Sequence, residues 1–203
     1  TGALAGRAEY DEDGNLAAVR PSNFVMGFAR IDGRRVVVGG DDFTVRGGAA
    51  DASIGGKQVY AEKMAYELRM PIVRLIDGTG GGGSVRTLIE RPTGGGNTGS
   101  KGGGYTYVPA NPGWDTVVRM LSEVPVVAAA MGSVAGLGAA RVVTSHWSIM
   151  VKDSSQVFVA GPPVVSRGMG EEVTKEELGG AQIHYHNGVV DNLAEDEAGA
   201  FRQ

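Results

Sequence analysis

The 203-residue chain contains no cysteine. That absence excludes disulfides, thiolate zinc sites and a cysteine nucleophile, and it fits a reducing compartment. A dominant charge is missing too: 19 Lys and Arg stand against 23 Asp and Glu, a net charge of −4 with no single-sign block. Spread charge argues against a disordered tail, and mild acidity without a basic cluster offers no footprint for nucleic acid. The opening segment, Thr1 to Asp13, has no apolar core and carries early acids, so neither a secretory signal nor an Arg-rich transit peptide is expected there. Long hydrophobic runs are also lacking. The best membrane candidate, Pro125 to Ala140, is only sixteen residues long, is closed off by Glu123 and Arg141, and is broken by glycine. It reads as buried strand, turn and helix, and no membrane association is expected.

What the chain has in excess is glycine, 34 residues, about one in six. The glycines are clustered without a period, which excludes collagen. Clusters between apolar runs bring backbone close to something, and function is expected there. Asp32-Gly33 signals a hairpin, and Asp42 to Val45 reads as further strand before Gly47-Gly48. The spacing predicts a helix over Gly55 to Arg69, with Ala61, Ala65 and Leu68 on one face beside Tyr60 and Met64. A strand from Ile72 to Ile76 follows Pro71 and runs through Asp77 into the glycines Gly78 to Gly83. Thr93 to Gly104, TGGGNTGSKGGG, predicts a mobile surface loop. Trp114, Val117, Val118 and Leu121 give the stripe of an amphipathic helix, and Pro125 to Ala130 a buried strand ending in the glycine turn Gly132 to Gly138. Further on come a helix over Ala139 to Thr144, strands at Ser148 to Val151 and Gln156 to Ala160, and a capping box at Thr174 to Glu177. Strands alternating with helices indicate one α/β domain, residues 1–203, with parallel elements.

Several glycine patterns compete. Gly78-x-Gly80-x-x-Gly83 follows a strand and matches a dinucleotide-binding loop, yet the second strand and ribose-binding acid of a Rossmann unit would fall in the TGGGNTGSKGGG stretch. Ser100-Lys101 has the wrong order for a P-loop, and Ser133 stands one position too early for a nucleophile elbow. His184 and His186 would share a face on a strand, but with no third ligand nearby no metal site is expected. A paired feature remains: two apolar strands, each ending in a glycine turn that leads toward a helix. Two such turns are either ordinary strand–helix connections or an oxyanion hole of backbone N–H groups, suited to a thioester enolate.

The residues also carry a family resemblance. Pro125 to Gly138 resembles the second oxyanion segment of the crotonase superfamily. From about Phe24 to Phe201 the chain is similar to the N-terminal half of the carboxyltransferase (beta) subunit of biotin-dependent acyl-CoA carboxylases. The matching stretches are Asp42 to Val45 with Gly47-Gly48 and Lys57, Leu75 to Ser84, Met150 to Asp153, Phe158 to Pro162 with Val164-Val165, and Glu176 to Ala181 with His184. The resemblance implies a crotonase-like (ClpP/crotonase) ββα spiral and transfer of a carboxyl group from carboxybiotin to the α-carbon of an acyl-CoA. A biotin-dependent acyl-CoA decarboxylase of the same family is the alternative direction. It places the catalytic N–H groups at Gly81, Gly82 or Gly83 and at Gly136 with Leu137, and substrate contacts at Lys57, Gly161 and Pro162, with Lys57 meeting a CoA phosphate. It further implies acyl-CoA as substrate and biotin carried on a partner chain or domain, a biotin carboxylase/biotin carrier partner, and a homo-oligomeric, hexameric carboxyltransferase ring. Such an assembly sits in the bacterial cytoplasm or the mitochondrial matrix. Two departures lie near the acyl group. Gly80 to Ser84 replaces the family's Gly-Gly-Ala-Arg, and Ala135 to Gly138 replaces Ala-Gly-Gly-Ala.

Overall fold

The structure, a computed structural model, describes residues 6–49, 57–78 and 114–203. The expected loop Thr93–Gly104 and the glycines Gly81, Gly82 and Gly83 lie outside the described residues. The chain opens with a hairpin that the sequence did not signal, β1 (Gly6–Tyr10) and β2 (Leu16–Pro21), turned by Asp11, whose carboxylate accepts the Asp13 and Asn15 N–H groups. β3 (Phe24–Ile31) and β4 (Arg34–Asp41) form the expected antiparallel hairpin; Asp32 and Gly33 both take positive φ, 47° and 80°, as a tight turn in a twisted ribbon requires.

Beyond β4 the chain departs from the strand expected at Asp42–Val45. The Asp42 carboxylate accepts the Thr44 N–H at 3.0 Å, a local bond that turns the backbone into a short 3-10 segment at Arg46–Gly48. The first helix, α1 (Lys57–Glu67), buries Ala61, Met64 and Ala65, but Leu68 lies past its end and is exposed. Then come β5 (Ile72–Ile76), α2 (Trp114–Glu123), β6 (Val126–Ala130), β7 (Ser133–Ala135) and α3 (Leu137–Val143). In α2 the buried residues are Val117 and Met120, while Val118, expected inside, is 57% exposed. β8 (Trp147–Val151), β9 (Gln156–Phe158), α4 (Pro162–Met169), α5 (Lys175–Gly179), α6 (Ala181–His186), β10 (Asn192–Ala194) and α7 (Glu197–Arg202) complete the order. No described helix is long and apolar enough to cross a membrane, and Pro125–Ala140 folds as strand, strand and helix.

A six-stranded sheet runs β10-β8-β6-β5-β4-β3, parallel except for β3 against β4. Successive strands advance across it in one direction. A Rossmann sheet reverses its strand order at a switch point, and this one does not, so the dinucleotide-binding alternative is overturned. Instead the chain repeats sheet strand, short strand and helix: β6-β7-α3, then β8-β9-α4. The short strands β7 and β9 pair parallel in a separate sheet. This is the crotonase-like spiral. One face of the large sheet packs Phe24, Met26, Val37, Ile72 and Val126 against α1 and α2, and continues through Ile76, Ala128 and Met150 to α3 and α6. The opposite face packs Ala129, Ile149 and Val151 against Ala194 and Ala200 at β10 and α7. The alternation of Ala128, Ala129 and Ala130 between these clusters follows the two-residue period of a strand.

Candidate active site

The first residue of the first glycine turn, Gly78, meets the second turn at the carboxyl end of the central strands β5 and β6. β5 ends at Ile76, and Asp77-Gly78 carries the chain out beside the 3-10 segment. A Cβ on Gly48 would lie 2.2 Å from the Asp77 carbonyl oxygen, and one on Gly78 would lie 2.5 Å from the Gly47 oxygen. Gly48 and Gly78 also adopt φ of 67° and 119°, so side chains are excluded by contact and by conformation alike. Across the gap, the Ala135 N–H donates to the Gly78 carbonyl at 3.0 Å, and Met131 N–H to the Ile76 carbonyl at 2.9 Å. The first glycine loop therefore begins in hydrogen-bond contact with the second.

In that second turn, Gly136 sits at φ 59°, ψ −120° as the N-cap of α3. Its N–H, expected to be the donor, is engaged by the Phe158 and Val159 carbonyls at 3.2 and 3.1 Å. Leu137 is the first residue of α3, a position whose N–H has no intrahelical acceptor, and no side chain caps this end. With the Gly136 N–H taken, the N–H groups of the first helical turn, beginning at Leu137, are the ones left without an intrahelical acceptor.

Beside Gly136 opens a pocket of about 760 Å³ lined mainly by apolar groups, among them Ala140, Val157, Val165 and Leu178. That size and lining suit a small-molecule ligand with an apolar portion. Gly161 and Pro162 follow the wall residues Val159 and Ala160 and open α4, as N-cap and first helical residue. His184, also on the wall, lies 2.6 Å from the Val157 carbonyl through Nε2; because a carbonyl only accepts, that nitrogen carries the proton. On helix α6, His184 and His186 do not share a face, and among the described residues no cluster of His, Asp and Glu is arranged to hold a metal ion.

Lys57 is buried, with its ammonium 3.3 Å from the Ser22 hydroxyl, and burial pulls its pKa below the ordinary lysine value. Two carboxylates, Asp41 and Asp77, stand at the carboxyl ends of β4 and β5. Asp41 accepts the Asp77 N–H at 3.2 Å and the Gln58 amide at 2.9 Å; burial outweighs these bonds and Arg141, and its pKa is pushed up to about 7. Asp77 is raised chiefly by burial and then by Glu197, against the pull of Lys175. Sequence patterns did not mark a buried ionic cluster below the turns: Glu62 lies 3.0 Å from Arg74 and 2.9 Å from Arg141, all three buried. The signal was present in IVRLI, where Arg74 occupies the same strand face as Ile72 and Ile76.

Comparison with known proteins gives the chain a context. The family model described as "Carboxyl transferase domain" matches residues 7–203. The probable methylcrotonoyl-CoA carboxylase beta chain, mitochondrial, of Drosophila melanogaster is 33% identical over 98% of this chain and 32% of its own length. The probable biotin-dependent acyl-coenzyme A carboxylase beta2 subunit of Mycobacterium tuberculosis is 30% identical over 89% of this chain and 32% of that protein. Among solved structures, transcarboxylase 12S, a hexamer assembly with hydrolysed methylmalonyl-coenzyme A bound, superposes at a TM-score of 0.66 with 27% identity, covering 91% of this chain and 33% of the other. The chain spans about a third of the length of the curated relatives it matches.

Proposed function

Because the chain belongs to the carboxyl transferase domain family, we propose that it forms the acyl-CoA-holding half of a biotin-dependent acyl-CoA carboxylase beta subunit. The observation that supports this reading is the Ala135–Gly78 hydrogen bond of 3.0 Å, which ties the start of the first glycine turn to the second turn beside the apolar pocket. The acyl thioester lies with its carbonyl oxygen on the Leu137 N–H and on a second N–H from Gly81, Gly82 or Gly83. Loss of the α-proton sends the C–H electron pair into a C=C bond and negative charge onto that oxygen. The backbone donors are already oriented when this charge develops, so they favour the enolate over the ground state. The pocket wall excludes water from the enolate carbon, and the C=O bond re-forms as that carbon bonds to the incoming carboxyl carbon. Carboxylated biotin supplies the carboxyl group and the base when it is bound. Accordingly, the chain's own residues need only bind, orient and stabilise.

The biotin comes from a carrier on a partner chain or domain charged by a biotin carboxylase, and the carboxyltransferase assembles as a hexamer. Gly161 and Pro162 position α4 at the pocket mouth. The relatives come from mitochondria and from bacteria, and the compartment proposed is the mitochondrial matrix or the bacterial cytoplasm. The test uses the full-length subunit with its biotin carboxylase partner, ATP, labelled bicarbonate and a panel of acyl-CoAs. Label fixed into an acid-stable acyl product is the expected result. Absence of fixation from every acyl-CoA, with no decarboxylation of the corresponding carboxyacyl-CoAs, would sink the reading.

A further inference from the structure

Below the two turns, one buried side chain touches both halves of the site. Arg74 lies on β5, three residues before Asp77 and four before the first glycine turn at Gly78. One terminal nitrogen of its guanidinium donates to the carbonyls of Arg141 and Thr144, each at 3.1 Å, which belong to the last turn and C-cap of α3. Those carbonyls have no partner within the helix, so Arg74 satisfies the far end of the same short helix whose first residue is Leu137. The other terminal nitrogen lies 3.0 Å from Glu62 on α1. Glu62 in turn accepts from Arg141 at 2.9 and 3.5 Å, and the Arg141 guanidinium stacks 5.7 Å from the Trp114 ring of α2. Strand β5 and helices α1, α2 and α3 thus converge on one buried cluster. Arg74, Glu62 and Arg141 line a cavity of about 20 Å³ together with Asp41, whose carboxylate holds the Asp77 N–H.

Resting on the proposed carboxyl transfer, we propose that Arg74 is a positioning residue for that reaction: it fixes α3, and with it the Leu137 N–H, in register with β5 and the Gly78 turn. A donor acts on a developing oxyanion only if it is held in place beforehand, and a misplacement of about 1 Å costs on the order of 10²-fold in rate. One guanidinium nitrogen holds both carbonyls while the other faces Glu62 as an ion pair without hydrogen-bond geometry. A lysine keeps the charge but offers a single compact ammonium. Arg74, Glu62 and Arg141 are not among the residues lining the apolar pocket, so loss of Arg74 should act on turnover and spare affinity.

Arg74→Lys in the full-length enzyme tests this. Expected are a kcat lower by about 10- to 100-fold, a KM for acyl-CoA within about threefold of wild type, a lowered melting temperature with the fold retained, and faster amide exchange confined to residues 137–144. Because a lone substitution in a buried ion cluster can unfold a protein, the pair Arg74→Gln with Glu62→Gln, which removes one charge of each sign, is read in the same way. An undiminished kcat in a folded variant overturns the proposal. So does a parallel loss of kcat and acyl-CoA binding, or failure of both variants to fold, since each assigns Arg74 to stability alone. A wild-type enzyme that transfers no carboxyl group to any acyl-CoA instead overturns the functional reading on which the proposal rests.

Discussion

At Gly136 and Leu137 two neighbouring backbone N–H groups have opposite fates, and proline tells them apart. Proline is tolerated at the first position of a helix, where its missing N–H had no intrahelical partner and its φ near −65° is the helical value. Leu137→Pro should therefore keep the fold while deleting the free donor, lowering kcat by about 10²- to 10³-fold, with circular dichroism unchanged. Gly136→Pro should do the reverse. Its φ of 59° is out of reach for the ring and its N–H is bonded to Phe158 and Val159, so thermal melting should report a destabilised fold. Asp41 supplies a pH test. Its pKa is raised from 3.8 to about 7, so between those values the folded protein holds a proton that the unfolded chain has released. The stability from this group is full at low pH and is lost as pH rises through about 7. Urea unfolding should show wild type weakening from pH 5 to pH 8 and Asp41→Asn losing that part of the slope. Identical slopes would exclude Asp41 as the titrating group.

Among the elements, α5 and β9 make the closest approach on which the site depends. A Cβ on Gly179 would lie 2.2 Å from the Val157 carbonyl, the same carbonyl that receives His184. Gly179→Ala should push α5 off β9 and destabilise the fold by about 1–3 kcal/mol, measured as a shift in the urea midpoint. Elements of this kind were legible where one local rule sufficed. Asp32-Gly33 specified a hairpin. Thr174 and Glu177 specified a capping box whose two halves are both formed. The apolar run before Gly132 specified a buried strand. What the pattern did not give depends on partners far along the chain. The stripe through Val118 is as good as the one through Met120 until the sheet decides which side of α2 is inside. Similarly, the glycine at 136 was visible, but the occupancy of its N–H depends on the carbonyls of Phe158 and Val159, some twenty residues later. Arg74 was readable only as a charge on a buried strand face; that it caps α3 follows from the fold.

At the scale of the whole molecule, the chain spans about a third of its relatives' length, and the reaction proposed for it needs a biotin that these residues do not offer. A biotinylated lysine normally projects from a hairpin between methionines. The nearest sequence here is Glu62-Lys63-Met64-Ala65, and it lies inside α1. Lys63 is 58% exposed and sits 3.5 Å from Glu67, one helical turn on, as a solvated ion pair. Its neighbours Glu62 and Met64 are buried, in the Arg74 cluster and in the core respectively. A carrier lysine must travel between two active sites, whereas this one is tied to a helix packed against the sheet. Biotin should therefore be attached outside residues 1–203, on a partner chain or another domain. Streptavidin blotting of the denatured holoenzyme, followed by mass spectrometry of the labelled peptide, checks this directly. The expected label maps beyond this sequence, whereas biotin on Lys63 would require α1 to open and would overturn both the carrier assignment and the buried role of Glu62.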